Sequence, residues 1–420
     1  MATDIEKVLS RQKVEAQVLI NASFVERDFS VADYIDTKIA KVIVGPRRSG
    51  KSMFALQSIK KRHFAYVNMD DEGLEALNAG SLDYNLLLRS LVAVYGKFDV
   101  LLMDEVQNLK NWQLFVNRLQ REGYNIIVTG SNSNLMSTEL ATHLTGRYIE
   151  KTVLPFSFKE YIKTKNIKAE QHSEEGEGQL ISALREYLQT GGYPELVTKG
   201  LEKSNYLKML VDNTIYIDIV KRHGIRKQDE IRRLFAYLMD VYAKEFTYNS
   251  AAQTTEIRSV NTVKKYFGYL KEAYLLLELK RFEPKAKSRH KAPRKVYAID
   301  TGLVNTFSLR LGEDYGRLME NAVAIELTRR LLEIRYWRDA MGKEVDFVVV
   351  SGIRISKLVQ VCYDINDKKT KTREVSALEK ASLELRCSDL LIITWDYEGV
   401  IKESGKRIKC IPLWKWLLGT

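Results

Sequence analysis

The stretch Gly45-Pro46-Arg47-Arg48-Ser49-Gly50-Lys51-Ser52 constrains this chain more than any other. It fits the pattern G-x-x-x-x-G-K-[ST], and each residue type has a reason. Glycines at the two ends let the backbone curl into a nest of N–H groups that face phosphate oxygens. Lys51 is placed to reach the outer phosphates, and the Ser52 hydroxyl to ligate Mg²⁺. A helix starting near Lys51 adds the positive end of its dipole. An apolar run, 41–44, precedes the loop and a helical segment, 53–59, follows it, as the motif requires.

A second feature completes that reading. Leu101-Leu102-Met103-Asp104-Glu105 is an apolar strand ending in two acids, about fifty residues after the loop. The spacing puts Asp104 beside Ser52 as a partner in Mg²⁺ binding and leaves Glu105 to polarise a water. The next strand, 125–129, runs into Gly130-Ser131-Asn132. Ser131 and Asn132 either sense the outermost phosphate or make only turn hydrogen bonds. Arg147, just before the last strand, either enters a neighbouring subunit's site or is solvated. Arg47 and Arg48 either contact phosphate or a partner, or face solvent.

Around these motifs, residues 39–155 alternate short apolar strands (40–44, 64–68, 100–103, 125–129, 149–153) with amphipathic segments. That is the pattern of an α/β parallel sheet of the P-loop NTPase kind. Residues 156–228 read as a helical lid, interrupted by a polar, acidic loop at 172–178 and a turn at 191–194. Residues 229–300 read as a winged helix: helices at 229–244 and 250–254, a third capped by Asn261, then strands at 274–280 and 296–299. A last unit, 301–420, has a helix at 317–333, strands at 334–337, 344–350 and 357–363, a helix at 374–385 and a strand at 390–395. The expected domains are therefore 1–155, 156–228, 229–300 and 301–420.

Charge is local. The chain carries a formal +12, and 280–295 alone holds eight basic side chains against one acid, Glu283. Such a wing suits phosphate contacts. Lys285, Lys287, Arg289 and Lys291 on the wing, with Lys264 and Lys265 on the preceding helix, are the candidate DNA-binding residues. The alternatives are a solvated loop or a wing packed on another protein. No apolar run approaches the length of a membrane span. Three scattered cysteines, Cys362, Cys387 and Cys410, argue against a disulfide framework or a structural zinc, and point to a reducing cytoplasm. No signal-peptide pattern is expected at the N-terminus.

These strings together resemble an archaeal and bacterial AAA-type ATPase family. They are the phosphate loop, Leu102-Met103-Asp104-Glu105-Val106-Gln107, Thr129-Gly130-Ser131, Leu144-Thr145-Gly146-Arg147, and Leu154-Pro155-Phe156-Ser157-Phe158. Gly191-Gly192-Tyr193-Pro194-Glu195 fits the family's lid. The 295–303 string and Glu344-Val345-Asp346-Phe347 fit its C-terminal domain. The resemblance implies ATP as the nucleotide and a restriction-endonuclease-like C-terminal domain; separately, a homo-oligomer is expected, with a ring as one form of it. Such a fold uses a helix acid, a strand acid and a Glu-x-Lys on the next strand. Glu320 and Asp346 would be the acids, but Gln360 and Cys362 stand where Glu and Lys are expected. The domain therefore reads as degenerate unless Lys357 or Lys343 substitutes. Three functions emerge as expectations: ATP hydrolysis driving a cycle on DNA, a nucleotide-gated protein-interaction switch without DNA, and an ATP-regulated nuclease.

Overall fold

The computed structural model describes residues 2–29, 35–74, 83–131, 148–168, 173–283, 292–309, 312 and 314–419. They fall into two units, 1–154 with 272–274, and 155–271 with 275–420.

In the first unit, β1 (Ala40–Val44), β2 (Phe64–Asn68), β3 (Val100–Asp104), β4 (Asn125–Gly130) and β5 (Tyr148–Thr152) form one sheet. The order is β2-β3-β4-β1-β5, with every pairing parallel. Parallel strands need crossovers, and helices Lys51–Ile59, Tyr84–Tyr95 and Trp112–Arg121 lie between successive strands. Every residue of β1 and β3 is buried. Their unbroken apolar runs follow from that, since both faces of a parallel sheet are covered. Full burial of each Val, Leu or Ile stabilises by roughly 1.5–3 kcal/mol. The consequence for function is topological. β4 separates β1 from β3, so the C-terminal end of β4 sits between the two motif-bearing strand ends.

The second unit begins with the helices expected for a lid. The first, Phe158–Thr164, starts with a capping box: Ser157 Oγ accepts from Glu160 N, and the Glu160 carboxylate accepts from Ser157 N. The predicted acidic loop at 172–178 is instead largely the first turn of helix Glu174–Thr190. Ser173 caps it, and Glu174, Glu175 and Glu177 complement the positive helix end. Residues 169–172 lie outside the described residues.

The three helices expected after 229 are present at Gln228–Asp240, Tyr248–Thr255 and Val260–Glu272. The third starts before Asn261, so Asn261 is not its cap. Ser259 holds that position, its carbonyl accepting from Val263 N and its Oγ from Thr262 N. The two strands expected there are present as β7 (Leu276–Lys280) and β8 (Arg294–Ala298), joined by a short β6 (Glu245–Phe246) in the order β6-β8-β7. Beyond β7 the chain bridges to the C-terminal sheet, where Phe282 N donates to Tyr336 O at 2.7 Å.

That sheet has six strands: β9 (Glu333–Arg338), β10 (Glu344–Ser351), β11 (Arg354–Cys362), β12 (Leu390–Thr394), β13 (Gly399–Glu403) and β14 (Lys406–Pro412). The order is β13-β14-β12-β11-β10-β9; β12 pairs parallel with β11 and β14, and the rest are antiparallel. The hairpin β13–β14 and the closing helix Leu413–Leu418 are not foreseen from the sequence pattern. The hairpin turn is built on Ser404 and Gly405, both at positive φ, and lacks the Asn-Gly signature.

Candidate active site

The phosphate loop leaves β1 and enters helix Lys51–Ile59 without a side-chain cap. Gly50 turns the corner at φ 92°, and Arg48 also sits in the left-handed region at φ 58°. Gly45 is required by close approach: a Cβ there would lie 2.2 Å from Val153 O. The uncapped helix start leaves its first N–H groups without a side-chain acceptor. Ser49 Oγ is buried with no hydrogen-bond partner. A polyanion suits both features. Arg27, which no sequence motif marks, braces the loop from behind, donating to Ser49 O at 3.3 Å and to Leu154 O.

Lys51 is buried, with Nζ 3.0 Å from Pro46 O and 3.8 Å from Glu105 Oε1. Ser52 Oγ donates to Asp104 Oδ1 at 2.9 Å. Those distances bring together, across 52 positions of sequence, the residues assigned to phosphate, metal and water. The Ser52 hydroxyl and the Asp104 carboxylate are hard oxygen donors, the kind Mg²⁺ takes. Burial raises the Asp104 carboxyl above its ordinary value, and Glu105 beside it adds to that. Hydrogen bonds from Thr129 and Ser52 oppose the shift.

Thr129 and Tyr66 are part of the site, although neither is marked as a site residue by its sequence context. Thr129 Oγ1 donates to Asp104 Oδ1 and accepts from Glu105 N at 3.0 Å, so the end of β4 fixes both acids. Tyr66 OH donates to Asp104 Oδ2 at 3.1 Å. Glu105 has φ 49° and ψ 46°, a left-handed conformation disfavoured for a side chain of this size. Burial alone would raise the Glu105 carboxyl. Lys51 and Arg47, with hydrogen bonds from Gln107 and Ser131, outweigh it and hold the group below its ordinary value. Ser131 is buried next to Gln107, which donates to its Oγ at 3.2 Å. Asn132 and Arg147 lie outside the described residues.

The other candidate residues are more dispersed. Lys264 and Lys265 are exposed on helix Val260–Glu272, whereas Lys285, Lys287, Arg289 and Lys291 lie outside the described residues. In the C-terminal sheet, Glu320 and Asp346 do converge, but on an unforeseen partner. Lys295 on β8 is buried with its Nζ 2.8 Å from Glu320, 2.5 Å from Glu344 and 3.3 Å from Asp346. Neither Lys357 nor Lys343 takes that place; Lys357 pairs with Asp389 at 3.3 Å. In sequence Lys295 belongs to the basic wing, because pairing across 25–51 residues is invisible in a local window.

One ammonium cannot compensate three carboxylates. Burial and mutual repulsion raise Glu320, and push Asp346 up to about 7. Gln360 bridges Asp346 N and the Glu374 carboxylate at 3.2 and 2.6 Å, and Cys362 is buried with its thiol pushed up to about 12. Among the described residues, no group of three His, Cys, Asp or Glu is disposed to hold a metal ion. Nor is any described helix long and apolar enough to cross a membrane.

Residues 37–162 match a family described as an AAA domain, while 181–314 and 315–416 match two families described as domains of unknown function. The chain is 35% identical over 423 residues to the uncharacterized protein MJ1544 of Methanocaldococcus jannaschii, covering 96% of this chain and 93% of that one. An uncharacterized protein of Haemophilus influenzae is 30% identical over 353 residues, 80% of this chain and 86% of the relative. Among solved structures, a Walker-type ATPase of Pyrococcus abyssi aligns with TM-score 0.42 at 14% identity, over 69% of this chain and 99% of that one. AMPPCP-bound DnaA from Aquifex aeolicus aligns with TM-score 0.27 at 18% identity, over 58% and 85%. With its near full-length match, the chain belongs to the same family as MJ1544, and its parallel sheet and phosphate loop lie in the segment that matches the AAA domain.

Proposed function

We propose that the protein binds ATP with Mg²⁺ and hydrolyses it, and that the hydrolytic cycle drives a conformational or assembly change. The observation that carries this reading is the convergence of Lys51, Ser52, Asp104 and Glu105 at the ends of β1 and β3. In it, Gly45 to Ser52 cradle the phosphates, and Lys51 neutralises the outer two. Ser52, backed by Asp104, holds Mg²⁺, which when bound screens the negative charge of the phosphates. Glu105 takes a proton from the attacking water. Ser131 and Asn132 are assigned to the edge of the same site. Arg147 is assigned to a neighbouring subunit's site in a homo-oligomer.

For the object of the cycle, we favour DNA, contacted by Lys264 and Lys265 and by the basic wing residues Lys285, Lys287, Arg289 and Lys291. The charge of that segment supports it. The test measures ATP turnover and duplex binding together. The expected result is turnover stimulated by DNA, with affinity falling steeply between 50 and 200 mM salt, as the release of several counterions demands (a factor of about 10³ for six contacts). Turnover that ignores DNA, with no binding at 50 mM salt, would replace this reading with a nucleotide-gated protein-interaction switch.

A further inference from the structure

We propose that Gln107 is the positioning residue of the hydrolytic carboxylate, clamping Glu105 and tying it to Ser131 at the end of β4. The proposal rests on the assignment of Glu105 made above.

The local structure dictates the arrangement. After Asp104 the chain leaves β3, Glu105 turns left-handed, and a 3₁₀ turn spans Val106–Asn108. Asn108 N donates to Glu105 O at 3.1 Å. This tight turn brings the side chain of Gln107 back over that of Glu105. Its Nε2 donates to Glu105 Oε2, and to Ser131 Oγ at 3.2 Å. The orientation of the amide is not arbitrary. An ionised carboxylate only accepts, so the face toward Glu105 must be the NH₂. That leaves Gln107 Oε1 buried with no donor among the described residues. A water poised for Glu105 has two protons, one for the carboxylate and one for this free acceptor.

Both roles matter for hydrolysis. In that step a bond forms between the water oxygen and the terminal phosphorus, and the bond from phosphorus to the bridging oxygen breaks. One water proton passes to the Glu105 carboxylate. A base works only within hydrogen-bond reach of that proton, and misplacement by an ångström is costly. Glu105 also lies 3.8 Å from Lys51, whose charge draws it toward the phosphate loop. Gln107 holds the other carboxylate oxygen, and Ser131, which also hydrogen-bonds Glu105, anchors Gln107 in turn.

The test uses the full chain, with Gln107→Ala and the near-isosteric Gln107→Met. The expected result is a fall in kcat of about 10–100-fold in both, with ATP affinity within about twofold of the parent. In a Glu105→Gln background, measured by single turnover, either change is expected to add less than about twofold, because it acts through the residue already removed. Wild-type kcat in a folded Gln107→Ala or Gln107→Met overturns the proposal. So does a full further loss in the Glu105→Gln background, which would mark a structural role. Melting temperature decides which variants are folded. If Gln107→Ala does not fold, Gln107→Met and Ser131→Ala carry the same comparison. A different failure is separable: an inactive parent, or a Glu105→Gln variant as active as the parent, sinks the ATPase assignment itself.

Discussion

Ser52 Oγ and Asp104 Oδ1 lie 2.9 Å apart across fifty-two positions of sequence, and Thr129 closes the same group from the intervening strand. The site is thus built by the order of the sheet, not by any one loop. Its residues have separable jobs, and substitutions should fail in different ways.

Lys51→Ala is expected to abolish nucleotide binding or nearly so, since the charge that meets the phosphates is lost. Glu105→Gln should bind ATP as the parent does and hydrolyse it at least about 100-fold more slowly. Titration with a fluorescent nucleotide, paired with a phosphate-release assay, separates the two. A Glu105→Gln variant at parental turnover means the base lies elsewhere.

Arg147→Ala should slow hydrolysis by about tenfold or more while sparing ATP affinity, if the arginine serves a neighbouring subunit. Mixing Arg147→Ala with Glu105→Gln chains then restores part of the turnover, because some interfaces pair an intact arginine with an intact site. No recovery on mixing, together with parental turnover per subunit that does not change on dilution, removes the role in trans.

In the second unit, Gly191 at φ 83° would place a Cβ 1.8 Å from Asp300 Oδ1. Gly191→Ala should destabilise by roughly 2–4 kcal/mol. Gly200→Ala, at φ 61° with open space, should lose only about 1 kcal/mol. Asp300 accepts from Gly192 N and Gly302 N, yet burial pushes its carboxyl from 3.8 to about 6. The folded state therefore holds the proton more tightly than the unfolded state. Stability falls as pH rises from 3.8 through about 6, by an amount on the order of 3 kcal/mol, and the full loss persists above that. Asp300→Asn should flatten this dependence while forfeiting one acceptor. Melting curves at pH 4 to 7 decide; an unchanged slope in the variant assigns the titration elsewhere.

Lys295→Met should destabilise by about 3–5 kcal/mol at pH 8, because it strands buried carboxylates. The loss should shrink at pH 5, where Asp346, with its pKa of about 7, holds its proton. Chemical denaturation at the two pH values checks the sign. With Lys295 Nζ seated among Glu320, Glu344 and Asp346, and Gln360 and Cys362 standing where an acid and a lysine are needed, no Mg²⁺- or Mn²⁺-dependent cleavage of single-stranded, duplex or branched DNA is expected, with or without ATP. Cleavage that disappears in Asp346→Ala would overturn that expectation.

The candidate nucleotide site is legible in sequence because its residues obey short-range rules. A glycine-framed loop after an apolar strand and an acid pair at the end of another are patterns a local window can detect. Thr129, Tyr66 and Gln107 escape because their roles depend on strand order. Nothing in sequence states that β4 lies between β1 and β3, or that a 3₁₀ turn folds Gln107 back on Glu105. In the helical region, acidic residues at 172–178 suggest a loop, yet they favour a helix's first turn equally well. In the C-terminal domain the two acids are visible and their cation is not, because Lys295 comes from a different sheet.

That lysine bears on how the chain can be divided. Position 300 looks like a natural cut between the wing and the C-terminal domain. A fragment ending there would keep Lys295 with none of the carboxylates it serves. One beginning at 301 would carry Glu320, Glu344 and Asp346 without their cation. Each piece would inherit half of an ion cluster, so separate expression of the two halves should yield two poorly folded proteins. Mixing them, or supplying 292–300 as a peptide to the second, would be the way to recover the fold.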